Sequence, residues 1–395
     1  MPKTHITKTQ KNQTKPGEKS DIYITARKKG KICMSKNMNL YKAKAAKNDE
    51  FYTKLSDVSK ELAHYKPHFK DKVVYCNCDD QDSAFWKYFH LNFERLGLKK
   101  LLATHYDQTA SSYKLEYEGG DDQNIDAGSK TLLKGDGDFR SQECVDLLIS
   151  SDIVCTNLPF SLFREYVARM MQYGKKFIIW GNNNAITYKE FFPLLKENKV
   201  WLGYMVNQTC VFALSDDYPK WDEKLTRQMN DGKKYGKVPA ITVFTNLDHH
   251  KRHENLTLRD PYIPEKYPKY ANYDAINVNK VSEIPFDYEP CWYACRQAAS
   301  CLYARTEGKE NNEFCKEACN GEIGVPITYM GRHNPEQYEI IGSDSDKAKP
   351  MSEIDPTGIY EKGGPRFYIK KVDQTDRHQY VRLYKRIVIR KKTDI

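Results

Sequence analysis

Asp152-Ile153-Val154-Cys155-Thr156-Asn157-Leu158-Pro159-Phe160 is the stretch whose reading decides the fold. Ile153 to Thr156 is an unbroken run of small, apolar and β-branched residues, as a strand buried on both faces requires. The run stops on an Asn, a proline turn and an aromatic ring. Upstream, Val73-Val74-Tyr75-Cys76 has the same character and stops on Asn77-Cys78-Asp79-Asp80. Two apolar strands, each delivering a polar cluster at its carboxyl end, frame everything else.

Outward from these runs, helical and extended patterns alternate. Helices are expected over 55–65, 83–96, 162–173 and 187–197, and strands over 72–76, 100–104, 152–156, 176–181, 200–206, 210–214 and 241–245. The polar, Gly-rich stretch 107–130 reads as a hairpin or loop. Strands alternating with helices give an α/β class, a doubly wound, mostly parallel sheet with helices on both faces. Ligands of such sheets sit at the carboxyl ends of the strands. Asn77 to Asp80 and Asn157 to Phe160 therefore face one cleft.

Three regions follow. Residues 1–46 are rich in Lys, Thr, Asn and Gln and read as a basic, mobile arm. Residues 47–248 hold the α/β domain. From 249 to 395 Pro and Tyr become dense and periodicity fades until β-rich pieces at 325–329, 366–370 and 380–389, which suggests a second, less regular domain. No internal repeat is visible.

The 395 residues carry 63 basic and 53 acidic side chains, a surplus of +10 that suits a polyanionic partner. The 28 Tyr, many among Lys and Arg, can stack bases and grip phosphates, or serve as ordinary core residues. No apolar run is long enough to span a bilayer, and the basic N-terminus lacks the apolar core of a secretory signal. Eleven cysteines, an odd and scattered set, point to free thiols in a reducing compartment.

The cluster at 157–160 has a specific chemical use. The exocyclic amine of adenine is a poor nucleophile because its lone pair is delocalised into the ring. Two acceptors aimed at its two N–H bonds draw it toward tetrahedral geometry. The Asn157 side-chain oxygen can be one acceptor and the Leu158 carbonyl the other. Pro159 biases Leu158 to an extended conformation, and Phe160 can stack on an extruded base. The competing reading is a plain strand-ending turn.

Asn157-Leu158-Pro159-Phe160 resembles the Asn-Pro-Pro-Phe/Tyr motif of amino-methyltransferases. Longer stretches resemble the EcoRI-type adenine-specific DNA methyltransferase family: residues 48–53, 71–80, 135–141 (Gly-Asp-Gly-Asp-Phe-Arg-Ser), 161–166, 186–190, 273–280, 324–328 and 334–338. The resemblance spans roughly residues 40 to 342. It implies a Rossmann-like methyltransferase domain at 47–248 and a DNA target-recognition region at 249–395. The implied activity is transfer of methyl from S-adenosylmethionine to N6 of an adenine flipped from double-stranded DNA, at a specific site. Asn157, Leu158, Pro159 and Phe160 would then be catalytic. Phe51 and Tyr52 would close over the methionine end of the cofactor, and Asn77, Cys78 and Asp79 would replace the usual Gly-rich loop. Asp107 would hold the ribose. Asp138 would hydrogen-bond the cofactor's adenine, and Phe139 would stack on it.

The implied partner is double-stranded DNA, with no membrane and no obligate protein partner. A cytoplasmic, nucleoid-associated monomer in a bacterial or phage-infected cell fits, in a restriction-modification, solitary or phage-protection role. Residue by residue, simpler readings stand beside these: Asp79 and Asp80 can cap the following helix, and Asp136 and Asp138 can be turn residues.

This chain departs from the family at two places. Leu158 stands where the family carries Pro; it keeps the carbonyl and loses rigidity. Asn-Leu-Pro-Phe also resembles the form seen in ribosomal-RNA adenine dimethyltransferases, so an RNA substrate is the alternative, and a DNA-binding homologue with weakened catalysis is a further one. The second departure is a Cys-rich insertion at 291–320. Cys291, Cys295, Cys301, Cys315 and Cys319 can hold zinc or fill a small helical hairpin; no metal site is expected. His249, His250 and His253 read as solvent-exposed, with phosphate contact the alternative, and the basic runs 220–237 and 382–392 as solvated faces or DNA contacts.

Overall fold

A computed structural model describes residues 53–107, 112–213, 226–228, 234–290, 320–371 and 379–392. The arm at 1–46, Phe51 and Tyr52, the cysteines from Cys291 to Cys319 and most of 220–237 lie outside the described residues.

β1 (Val73–Asn77), β2 (Lys100–His105), β5 (Ile153–Asn157) and β6 (Lys176–Asn182) are the parallel centre of the larger sheet, in the order β2-β1-β5-β6. On one side β3 (Tyr113–Tyr117) and β4 (Ser129–Leu132) add an antiparallel hairpin to β2. On the other, β10 (Lys234–Thr245) runs antiparallel to β6 and also pairs with β7 (Trp201–Leu202), β8 (Gln208–Ala213) and β9 (Thr226–Gln228). The sheet is thus mixed, with a parallel core and antiparallel margins.

Strand periodicity sends alternate residues to opposite faces, and the core divides accordingly. Val74, Cys76, Ile153, Cys155, Ile178 and Trp180 join one apolar cluster with α1 (Leu55–Leu62) and α2 (Ala84–His90). Tyr75, Val154, Phe177 and Ile179 join the other, with α4 (Gln142–Ser150) and α5 (Phe163–Gln172). Both faces of the central strands are covered, so the doubly wound Rossmann-like reading holds.

Several elements differ from expectation. The helix over 83–96 divides at Leu91–Asn92 into α2 and α3 (Phe93–Leu96), which stops on Gly97 in the left-handed region. The helix over 187–197 shortens to a 3-10 turn (Asn183–Thr187) and α6 (Phe192–Lys196), because Pro193 fits only a first turn. The strand over 200–206 shrinks to β7, and α4, capped by Ser141 accepting from Cys144 N at 3.3 Å, was not foreseen.

A second sheet has the order β11-β12-β13-β15-β14: β11 (Lys269–Tyr270), β12 (Tyr273–Asn277), β13 (Glu322–Pro326), β15 (Arg386–Lys391) and β14 (Tyr338–Ser343). Its Ile276, Ile323 and Ile389 share the cluster of Val154 and Phe177. The basic run at 382–392 is largely interior strand. Arg386 is buried and donates to Asn277 and Asn279, while Arg390 pairs with Glu339 and Lys391 with Glu289.

His249 is buried, not exposed. Its Nε2 meets the Leu202 carbonyl at 2.9 Å, and desolvation pushes its pKa down to about 4. Among the described residues no helix is long and apolar enough to cross a membrane.

Candidate active site

The carboxyl ends of β1, β2 and β5 are laced together by short polar side chains. Asn77 donates to the Tyr75 hydroxyl at 2.7 Å and to Thr104 Oγ1 at 2.8 Å. Thr156 Oγ1 donates to the Asn77 carbonyl at 2.5 Å, and Asp79 N to the Thr104 carbonyl at 3.0 Å. Asn77 is thereby a buried tie between strands, and the loop after β1 is fixed to both neighbours. That loop turns through Cys78, whose φ of +60° lies where L-residues carry a steric cost. Ser83, not Asp79 or Asp80, caps α2, accepting from Trp86 N at 3.1 Å.

A cleft opens on this edge. Cys78, Asp79 and Asp80 from the loop after β1 line it together with Asn157 and Pro159 from the end of β5. The two polar clusters expected to face one cleft do so. Leu158 is buried, its side chain in the core with Phe163 and Tyr166. The Pro159 carbonyl accepts from Leu162 N at 2.9 Å, closing the turn, and Phe160 is half-buried against the α1–α2 side of the sheet.

Thr53, Ser83, Phe85, His105 and Tyr106 also line the cleft and had not been singled out. His105 and Tyr106 end β2, and the rule that ligands sit at strand carboxyl ends could have found them. Asp107 comes next, with Oδ2 3.9 Å from His105 Nε2; His105 Nδ1 lies 4.0 Å from Asp80.

Asp138 and Phe139 are not in the cleft wall but in a loop docked beside it. Asp107 N donates to the Asp136 carbonyl at 3.1 Å. Gly137, at φ +78°, lets that loop lie against the His105 backbone, where a Cβ would sit 2.4 Å from the carbonyl oxygen. Asp136 and Asp138 both accept backbone N–H groups two residues on. The Arg140 guanidinium holds the Asp138 carboxyl below its usual range. Phe139 is buried edge-on to Tyr166, with Arg169 over its ring. Phe51 and Tyr52 lie outside the described residues.

The electrostatics are set by burial. Asp79 is 8% exposed and its Oδ2 has no hydrogen-bond partner. Desolvation raises its pKa to about 8, against the smaller opposing effect of the Ser83 and Thr156 hydroxyls. Burial likewise pushes the Cys76 and Cys155 thiols well up, so both are inert. Thr53 Oγ1, also buried and without a partner, faces the same cleft. Orphaned polar atoms at the mouth of a strand-end cleft fit a ligand that brings hydrogen-bond donors. No group of three or more metal-binding side chains occurs among the described residues.

A family model described as adenine-specific methyltransferase EcoRI matches residues 39–292 and 316–392. The chain is 42% identical over 321 residues to Type II methyltransferase M.EcoRI of Escherichia coli, covering 77% of this chain and 89% of that one. It is 38% identical over 304 residues to Type II methyltransferase M.MpnI of Mycoplasma pneumoniae, covering 76% and 84%. To M.MgeORF184P of Mycoplasma genitalium it is 32% identical over 345 residues, covering 84% and 96%. No solved structure matches.

Proposed function

The chain belongs to the adenine-specific EcoRI methyltransferase family, and from that premise we propose that it methylates N6 of a flipped adenine in double-stranded DNA at the cleft between Asn157 and Asp79. It is a DNA methyltransferase whose relatives are named as Type II enzymes, so a modification role beside a restriction activity is the assigned one. The observation that carries the reading is the convergence of the Asn157–Pro159 turn and the loop after β1 on one cleft.

Asn157 Oδ1 and the Leu158 carbonyl accept the two N6 hydrogens and localise the amine lone pair. Burial of the Leu158 side chain holds that carbonyl in place, and Phe160 stacks on the extruded base. S-adenosylmethionine would be held by Cys78, Asp79 and Asp107 with Phe51 and Tyr52, and would supply an electrophilic methyl group there. The Asp138–Phe139 loop supports the adenine end. A neutral amine needs no base before attack, so the chain's work is positioning, and the proton leaves afterwards to water. Residues 249–395 read the DNA. A cytoplasmic monomer close to the nucleoid is the setting.

The test is transfer of labelled methyl from S-adenosylmethionine to unmodified duplex DNA, with ribosomal RNA in parallel. Label should appear on DNA as N6-methyladenine, and Asn157→Ala should lower the rate by about 10²–10³ while leaving cofactor binding unchanged. Leu158 favours one second reading, since Asn-Leu-Pro-Phe is also similar to the RNA form. Label on RNA alone would establish it. Cofactor binding with no transfer to either would mean that Leu158 disables the site.

A further inference from the structure

We propose that Tyr384, presented on a braced turn just before β15, enters the duplex and stacks in the space that the flipped adenine vacates. This rests on the methyltransferase reading above and adds which side chain holds the duplex open.

Tyr384 is 67% exposed, the most exposed large hydrophobic side chain among the described residues. Its backbone is nevertheless tied down. The Tyr384 carbonyl accepts from Arg386 Nη1 at 3.1 Å, and Leu383 N donates to the Phe367 carbonyl at 3.0 Å. Arg386 is buried and fixed in turn. Its Nε donates to Asn277 Oδ1 at 3.1 Å, its Nη2 to Asn279 Oδ1 at 3.2 Å, and its backbone N to Asp344 Oδ2 at 3.3 Å. Asn277 Nδ2 donates to Asn279 Oδ1 at 3.0 Å, so the two amides act as one bracket. The 273–280 stretch, which the methyl-transfer chemistry does not use, thus fixes the turn. A ring carried on an ordered backbone gives up little further entropy when a base stacks on it.

The turn stands at the edge where the cleft opens. Lys385 and Arg386 line a small cavity with Ile186 and Thr187. Those two belong to the 3-10 turn that directly follows β6. β6 is the parallel neighbour of β5, with Trp180 opposite Asn157. Tyr384 therefore lies beside the carboxyl ends of the strands that deliver the Asn157–Phe160 turn. The nearby charges suit a polyanion. Lys385 is next in the chain, and exposed Lys189 is two residues beyond Thr187. The buried Asp344 carboxylate is answered by Arg366 at 3.6 Å and by Arg386 N.

Extruding a base costs stacking energy. A side chain wedged into the stack offsets part of that cost, and a ring supplies the face on which the neighbouring bases can rest. An exposed ring on a fixed turn, at the edge where the target base leaves the helix, meets that requirement.

The test starts with the unaltered full-length protein. It methylates plasmid DNA, and the position of N6-methyladenine gives the target. Duplexes are then made with that adenine paired to thymine, set opposite a base it does not pair with, or replaced by an abasic site. A mismatched base is already cheap to extrude. At saturating protein, Tyr384→Ala should methylate the paired duplex about ten-fold more slowly and the mismatched duplex at close to the unaltered rate. It should also bind the abasic duplex about ten-fold more weakly, because the gap stays unfilled. Tyr384→Phe keeps the ring and should restore both. The thermal melt and S-adenosylhomocysteine binding should be the same in all three proteins, since an exposed side chain is changed. Equal slowing on paired and mismatched duplexes would mean that Tyr384 touches DNA without filling the gap. An unchanged rate on the paired duplex would mean that it has no part in extrusion. Either result overturns the proposal. Absence of N6-methyladenine after the first step overturns the methyltransferase reading itself, before any variant is made, and this inference falls with it.

Discussion

Leu158 has two parts with separate tasks. Its carbonyl is proposed for the target amine, and its side chain is buried in the same apolar cluster as Phe163 and Tyr166. A proline at this position would stiffen the turn; leucine anchors it from below instead. Leu158→Ala removes the anchor and keeps the carbonyl. It should cost about 2–4 kcal/mol in stability, while kcat at a permissive temperature falls only a few-fold. Denaturant melts with single-turnover methylation would separate the two, and an unchanged stability would show that the side chain anchors nothing. Asn157 and the Asn77–Asp80 cluster were legible in the sequence because each directly follows an apolar run. Thr53 was not, since it precedes α1 and follows no strand, whereas His105 and Tyr106 stand at the carboxyl end of a strand the sequence does predict and were within reach of the same rule.

At the scale of elements, the parallel centre was readable because its strands are buried on both faces and so lack polar interruptions. Elements with polar or mixed faces were misjudged. Gln142-Glu143-Cys144-Val145-Asp146 hides α4 behind charge, although Ser141 caps it. The loop before α4 is where local structure and function meet. Gly137 has a positive φ and no room for a Cβ against His105. Gly137→Ala should destabilise by about 2–3 kcal/mol, through left-handed backbone strain and overpacking. It should also push the Asp138–Phe139 loop off the end of β2, so S-adenosylhomocysteine should bind at least ten-fold more weakly. Unchanged affinity with lowered stability would mean the loop has no part in holding cofactor.

For the whole molecule, the sequence suggests a boundary near residue 248, where periodicity fades. The structure shows how strongly the two sides are joined there. One apolar cluster contains Phe177 and Phe244 of the first sheet and Ile276, Ile323 and Ile389 of the second. Polar ties cross the same line: His249 Nε2 meets the Leu202 carbonyl at 2.9 Å, Lys251 N donates to the Tyr204 hydroxyl at 3.3 Å, and His253 Nε2 lies 2.9 Å from Asp248. At Gly331 a Cβ would lie 2.9 Å from Val206, so no side chain fits between the halves there. On the proposed function, the region that reads DNA and the cleft that receives one base must keep a fixed spacing, and a shared core supplies it at no cost in linker entropy. The described residues should therefore unfold as one unit, with a single calorimetric peak and a van't Hoff enthalpy close to the calorimetric one. A fragment ending at residue 248 would bare the apolar face that now meets the second sheet, so it should bind a hydrophobic dye and lose its cooperative melt. Two resolved peaks, or a fragment that melts as sharply as the whole chain, would mean the shared cluster does not couple the halves. The spacing between base reading and methyl transfer would then have to come from the DNA.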